Sequence, residues 1–255
     1  MGRPKIYNIF MNMILTCSSL KDHIDAAQQA MGTSWPVTVV DRSHHVEPAE
    51  MKQVICAEIE EMAQAFRRAC VCVQGPGAVP LPPEETLPGL TVLVAMGFCG
   101  GAWDHVSFPC RVVIPRVDDC ISLLLATDDT CVPNRKEIGH LYLYENDPAD
   151  FSALHLLRDG GTADETYRGM SREDLFRYWF GNYHAMDIID TGLNTSCYDV
   201  EYAQAAQKEA DMINAALGYV QGSNRMLEKL VSGRWDKQFI VAEPGQVIKH
   251  SDFFE

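Results

Sequence analysis

The stretch Thr91–Ala126, TVLVAMGFCGGAWDHVSFPCRVVIPRVDDCISLLLA, holds two apolar runs that each lead to a cysteine. Thr91–Met96 passes through Gly97-Phe98 to Cys99-Gly100-Gly101, and Arg111–Pro115 passes through Arg116-Val117-Asp118-Asp119 to Cys120. Short apolar runs closed by Gly or Pro predict strands buried on both faces of a parallel sheet. In open α/β sheets, ligands bind in the crevice beyond the carboxyl ends of such strands. Cys99 and Cys120 are therefore expected at the functional edge, and Cys110, which precedes its run, at the opposite one.

Outward from this stretch the same order of elements recurs. Upstream, Ile9–Thr16 predicts a strand, and Ser18, Ser19 and Asp22 supply start signals for a helix over Leu20–Met31, so Cys17 falls at a strand-to-helix turn. Such a turn presents backbone N–H groups and a positive dipole end, which favours thiolate. Pro36–Asp41 predicts a second strand, followed by His44-His45; Pro48 then opens a helix over Ala49–Ala69 whose Met51, Ile55, Ile59, Met62 and Phe66 share one face. Adjacent histidines cannot both face one point, so one of them, taken as His45, is the candidate ligand or acid–base group. Cys70-Val71-Cys72-Val73 reads as a strand with both cysteines on one face, and residues 75–90 read as an exposed proline-rich loop.

Downstream, residues 127–139 read as a polar crossing, His140–Tyr144 as a strand, Pro148–Arg158 as the start of a helix and Ser171 as the cap of another. Ala185–Gly192 predicts a strand whose polar end offers Asp190 and Thr191, either to a cleft or to the next turn. Tyr202–Ser232 reads as two helices broken around Gly218–Ser223, and Lys237–Ala242 as the last strand. Strands alternating with helices predict an α/β fold with a doubly wound, mostly parallel sheet, arranged as two Rossmann-like lobes: residues 1–130 carrying the cysteine site and 131–255 closing a cleft.

A chain of 255 residues with 47% hydrophobic and 22% charged residues can bury a substantial core. Its formal charge of -14 argues against nucleic acid and anionic membrane surfaces as partners. Nine cysteines, odd in number, irregular in spacing and without paired CxxC units, fit a reducing compartment better than a disulfide framework. Arg3 and Lys5 precede an apolar stretch ending at Cys17 that is similar to a lipoprotein cleavage site, but Asn8 and Asn12 interrupt it. No run reaches the about 20 apolar residues of a membrane span. The expected location is cytoplasmic.

The chemistry rests on Cys17, Cys99 and Cys120, each following a predicted strand. Three thiolates leave one position of a tetrahedral zinc for substrate, water or His45; the same three could hold an iron–sulfur cluster with one open iron. A metal-free alternative makes Cys99 the nucleophile, with His45 or Asp118 as base. Gly97, Gly100 and Gly101 allow close approach of backbone to a ligand, while the absence of GxGxxG and of a phosphate-loop lysine disfavours a nucleotide. Arg116 is expected to anchor an acidic group, either a substrate carboxylate or Asp119. Asp118 and Asp119 also suit the start of the next helix.

These residues carry a family pattern. Thr16-Cys17, His44-His45-Val46-Glu47-Pro48, Gly97-Phe98-Cys99-Gly100, Ile114-Pro115-Arg116-Val117-Asp118-Asp119-Cys120-Ile121, Ile189-Asp190-Thr191-Gly192 and the tail from Leu227 through Gly233-Arg234-Trp235 to Pro244-Gly245-Gln246 together make the chain resemble the bacterial and archaeal domain-of-unknown-function family DUF1638. The resemblance implies a cysteine-lined site and an association with anaerobic one-carbon metabolism and corrinoid methyl-transfer systems. It implies either a metal-dependent methyl-transfer enzyme or component, or an accessory protein that carries a metal, cluster or corrinoid. The partner would be a small-molecule substrate or a corrinoid protein, with any corrinoid arriving through that partner. One departure stands out: the family pattern Pro-Arg-x-His-Asp-Cys has Asp118 here in place of its histidine.

Overall fold

The computed structural model describes residues 9–74, 85–144, 169–193 and 198–255. In chain order the elements are β1 (Met11–Cys17), α1 (Lys21–Met31), β2 (Val37–Val40), α2 (Pro48–Gln74), β3 (Leu87–Ala95), β4 (Cys110–Pro115) and α3 (Cys120–Leu124). They continue as β5 (His140–Tyr144), α4 (Arg172–Phe180), β6 (Ala185–Asp190), α5 (Val200–Met212), β7 (Ala216–Gln221), α6 (Arg225–Ser232), β8 (Phe239–Ala242) and α7 (His250–Phe254). The chain divides into two compact units: Met1–Leu123 with Thr130–Pro133 and Met226–Glu255, and Leu124–Asp129 with Asn134–Arg225.

The first unit is built on a five-stranded sheet of order β2-β1-β3-β4-β8, parallel except for β8, which runs antiparallel to β4. Strand residues are buried on both faces, as the continuous apolar runs require. Leu15, Cys17, Val92, Val94, Met96, Val112 and Ile114 pack with Met51, Ile55, Ile59, Met62 and Phe66 of α2. Ile14, Leu93 and Val113 alternate to the other face and are equally buried. From β1 the chain moves one way to β2 and then back past β1 to β3. Right-handed crossovers in opposite directions put α1 and α2 on opposite faces, so the sheet is doubly wound and its switch point lies between β1 and β3.

Three local expectations change in this unit. β3 begins at Leu87, so Leu87 and Leu90, inside the exposed loop expected over residues 75–90, are buried strand residues. The segment Cys70–Val73 is not a strand: α2 runs unbroken to Gln74. No turn signal interrupts it, and Cys70 stands one helical turn beyond Phe66 on the core face, 1% exposed, while Cys72 is exposed on the other side. The division expected at residue 130 is not a single crossing: the chain leaves the first unit at Leu124, re-enters it over Thr130–Pro133 and returns at Met226, so β8 and α7 belong to that unit rather than to the second.

The second unit contains a parallel sheet of order β5-β6-β7. Leu141, Leu143, Met186 and Ile188 of one face pack against Leu175 and Phe176 of α4 and Ala206 and Ala210 of α5. The expected pair of helices over Tyr202–Ser232 is instead helix, strand, helix. Asn214, at φ +54, turns the chain out of α5, and Ala216–Gln221 then pairs with β6. Gly218 pairs with Asp187 in that ladder and leaves room for its carboxylate: a Cβ there would stand 2.5 Å from Asp187 Oδ1. The helix expected to start at Pro148 and the loop that follows it lie outside the described residues. No helix among the described residues is long and apolar enough to cross a membrane.

Candidate functional site

The carboxyl ends of β1 to β4 carry the residues singled out by sequence. Cys17 ends β1, one step from the switch point. It is 1% exposed, caps the 3-10 turn Ser18–Leu20, and its Sγ donates to Ser19 Oγ at 3.4 Å. The expectation of a dipole-favoured thiolate here is overturned: burial pushes the Cys17 thiol up, against smaller lowering contributions from Ser19, Ser18 and Arg42. Helix α1 begins only at Lys21, beyond the 3-10 turn, and desolvation of the thiol outweighs the lowering contributions there.

The turn after β2 is tied to this one, since the Arg42 N–H donates to Ser18 Oγ at 3.0 Å. Asp41 caps the turn by accepting from the Ser43 N–H, and that bond holds its carboxyl below the usual carboxylate value. The adjacent histidines part. His44 Nδ1 pairs with Glu50 Oε1 at 2.9 Å on the surface. His45 turns inward; its Nε2 is buried with no hydrogen-bond partner among the described residues. Burial lowers its pKa, against a raising field from Asp119, so at neutral pH His45 is an uncharged imidazole.

Beyond β3 the chain is laced to the end of β4. Phe98 N–H donates to Val117 O and Cys99 N–H to Asp118 O, both at 2.8 Å. Gly97 makes that approach possible, for a Cβ on it would stand 2.6 Å from the Asp119 nitrogen. Cys99 has φ +50, followed by Gly100 at +68 and Gly101 at +107. Half-buried, Cys99 packs against the core cluster that includes Cys17. Burial pushes its thiol strongly up, and the neighbouring Cys17, Asp119 and Asp118 push it further, against a lowering hydrogen bond with the Gly97 backbone.

Cys120 opens α3 and is half-buried. Asp119 acts as the cap of that helix: its Oδ1 accepts from the Ser122 N–H at 2.9 Å and its carbonyl from the Leu123 N–H at 3.0 Å. Cys17, Cys99, His45 and Asp119 thus share one electrostatic neighbourhood. Among the described residues, however, no group of three or more His, Cys, Asp or Glu side chains is arranged to hold a metal ion. Cys110 sits at the opposite end of the sheet, 1% exposed, its thiol pushed up to about 12 by burial.

Of the remaining expected site residues, Arg116 belongs to the first unit, and Asp190 and Thr191 to the second. Arg116 lines a surface depression of about 410 Å³ with Phe239, Ile240, Gln246, Ser251, Asp252 and Glu255, and its Nε is buried without a partner among the described residues. Asp190, at the end of β6 in the second unit, accepts from the Gly192 N–H at 2.9 Å and from the Tyr198 hydroxyl, so it closes a turn; Thr191 follows it. Sequence reasoning does not single out Ser18, Ser19 or Arg42 as site residues. Ser18 and Ser19 read only as helix-start residues, and Arg42 carries no signal because its bond to Ser18 forms only when β1 and β2 pair.

A family model described as a protein of unknown function matches residues 39–231, which include His45, Cys99 and Cys120 and begin beyond Cys17. No curated protein and no solved structure matches the chain.

Proposed function

Because this chain belongs to the DUF1638 family of proteins of unknown function, and its residues must carry the reading, we propose that the switch point between β1 and β3 is a metal–thiolate site built on Cys17 and Cys99. One observation carries the proposal: the buried Cys17 thiol stands beside the half-buried Cys99 thiol, Asp119 acts on both Cys99 and His45, and the His45 Nε2 is buried with no hydrogen-bond partner among the described residues. Protonated thiols are poor nucleophiles, and the neighbouring Cys17, Asp119 and Asp118 add to the desolvation that keeps the Cys99 thiol protonated. A thiophilic cation would displace both protons and neutralise the surrounding negative charge. Zinc or an iron–sulfur cluster fits the donor chemistry, with His45 or Cys120 as a third ligand. Such a metal would keep sulfur deprotonated and nucleophilic, the chemistry that methyl transfer to sulfur needs, with a corrinoid protein or small molecule as methyl donor. Because no three-ligand group is preassembled among the described residues, a third ligand would come with rearrangement of the Asp119–Cys120 turn or of the His45 turn. Non-catalytic carriage of a metal or cluster would use the same ligands.

A second reading has its own support in Cys99, whose left-handed backbone is the kind of strain that accompanies reactive residues. In that reading Cys99 is a metal-free nucleophile with His45 as base. Metal analysis of protein purified without oxygen separates the two. Stoichiometric zinc or iron that is lost in Cys17→Ser and Cys99→Ser but kept in Cys110→Ser supports the metal site. Absence of bound metal, and of cobalt(II) thiolate absorbance on titration, would falsify it in favour of the metal-free thiol.

A further inference from the structure

The turn at Cys99 places three consecutive residues at positive φ, and for Cys99 itself that region is sparsely populated. A backbone of this kind persists only where its surroundings over-determine it. At the leading end, the Phe98 ring, 8% exposed, meets the rings of Phe253 at 4.9 Å, His250 at 5.2 Å and Phe254 at 5.3 Å. At the trailing end, the Asp104 N–H donates to Gly101 O at 3.1 Å, and the Asp104 carboxylate accepts the His250 N–H at 2.8 Å. His105 N–H donates to Ile248 O, and Ile248 N–H to Val106 O, each at 2.8 Å. Lys52 Nζ of α2 donates to the Asp104 carbonyl at 2.6 Å.

Both ends of the turn are therefore fastened to one short segment more than 140 residues away in sequence, Ile248–Phe254. We infer that this segment is a clamp that positions Cys99, with Phe254 and Asp104 as positioning residues. Phe254 acts through the leading end of the turn, by way of Phe98, and Asp104 through its trailing end. The functional meaning of the clamp rests on the proposed role of Cys99, whereas its geometry does not.

The test is alkylation by iodoacetamide, read peptide by peptide by mass spectrometry in the full chain, for wild type, Phe254→Ala, Phe254→Tyr and Asp104→Ala. Phe254 is half-buried and Asp104 lies in a surface loop, so two independent variants guard against loss of folding. In both alanine variants the Cys99 rate rises on the order of tenfold, as for a thiol gaining access, while the rate at Cys110 in the same sheet stays put; Phe254→Tyr restores the wild-type Cys99 rate. Rates at Cys99 and Cys110 rising together would show general loosening and overturn the clamp, as would an unchanged Cys99 rate. Cobalt(II) titration of wild type reports on the metal reading alone. A Cys99-selective rise without cobalt thiolate absorbance upholds the clamp while the metal site falls.

Discussion

Gly97 and Asp119 meet backbone to backbone: a Cβ added to Gly97 would stand 2.6 Å from the Asp119 nitrogen and 2.7 Å from its Cα. This contact lets the end of β3 lie against the end of β4 and brings Cys99 under the carboxylates of Asp118 and Asp119. Gly97→Ala is expected to force the two strand ends apart, at a cost of about 1–3 kcal/mol, typical of overpacking. Urea denaturation measures that loss. Iodoacetamide labelling of Cys99 in the same variant should accelerate, since the hydrogen bonds from Phe98 and Cys99 to the 117–118 carbonyls stretch first.

Cys110 supplies an alkaline limit to stability. Its thiol ionises near 9.0 in the unfolded chain and is pushed up to about 12 in the fold. A raised folded value means that the stabilisation is complete below pH 9 and drains away as pH climbs from 9 toward 12. The slope for one proton is about 1.4 kcal/mol per pH unit. Urea unfolding between pH 9 and 11 should show Cys110→Ala losing less stability with pH than wild type; equal slopes would contradict the assignment.

Asp104 gives the opposite sign at the acid end. The His250 N–H, and then the hydrogen bond with His105, hold its carboxyl below the ordinary value of 3.8. A depressed folded value contributes stability above that pH and loses it as pH falls through the folded value. Below pH 4 the Cys99 labelling contrast between wild type and Asp104→Ala, measured with an acid-tolerant disulfide reagent, should therefore shrink.

In the second unit Asp187 Oδ2 lies 2.5 Å from His140 Nδ1 while its other oxygen leans over Gly218. Gly218→Ala must swing that carboxylate and break its pairing with His140, costing about 1–3 kcal/mol. In a His140→Ala background the same substitution costs less, by a coupling of about 0.5–3 kcal/mol. Additive losses in the double-mutant cycle would mean that the carboxylate moves without releasing the histidine.

Much of the first unit is legible without coordinates. The apolar runs at Thr91–Met96 and Arg111–Pro115 are strands, and the Met51–Phe66 stripe is the face of α2 that covers them, because periodicity reports burial directly. Where a segment satisfies two periodicities, its neighbours decide. Cys70–Val73 could alternate as a strand but continues α2, while Ala216–Gln221 could continue a helix but pairs with β6.

For the candidate site, the sequence by itself determined which cysteines follow strands, and hence that Cys17, Cys99 and Cys120 share a sheet edge while Cys110 opposes them. Only the tertiary structure decided which of the paired histidines turns inward, that Arg116 lines a depression with α7, and that Cys99 stands between Phe98 and Asp104, both fastened to Ile248–Phe254. The charge state of the thiols also belongs to the tertiary structure. A turn favours thiolate locally, but the desolvation that reverses this comes from side chains distant in sequence, which no spacing along the chain encodes.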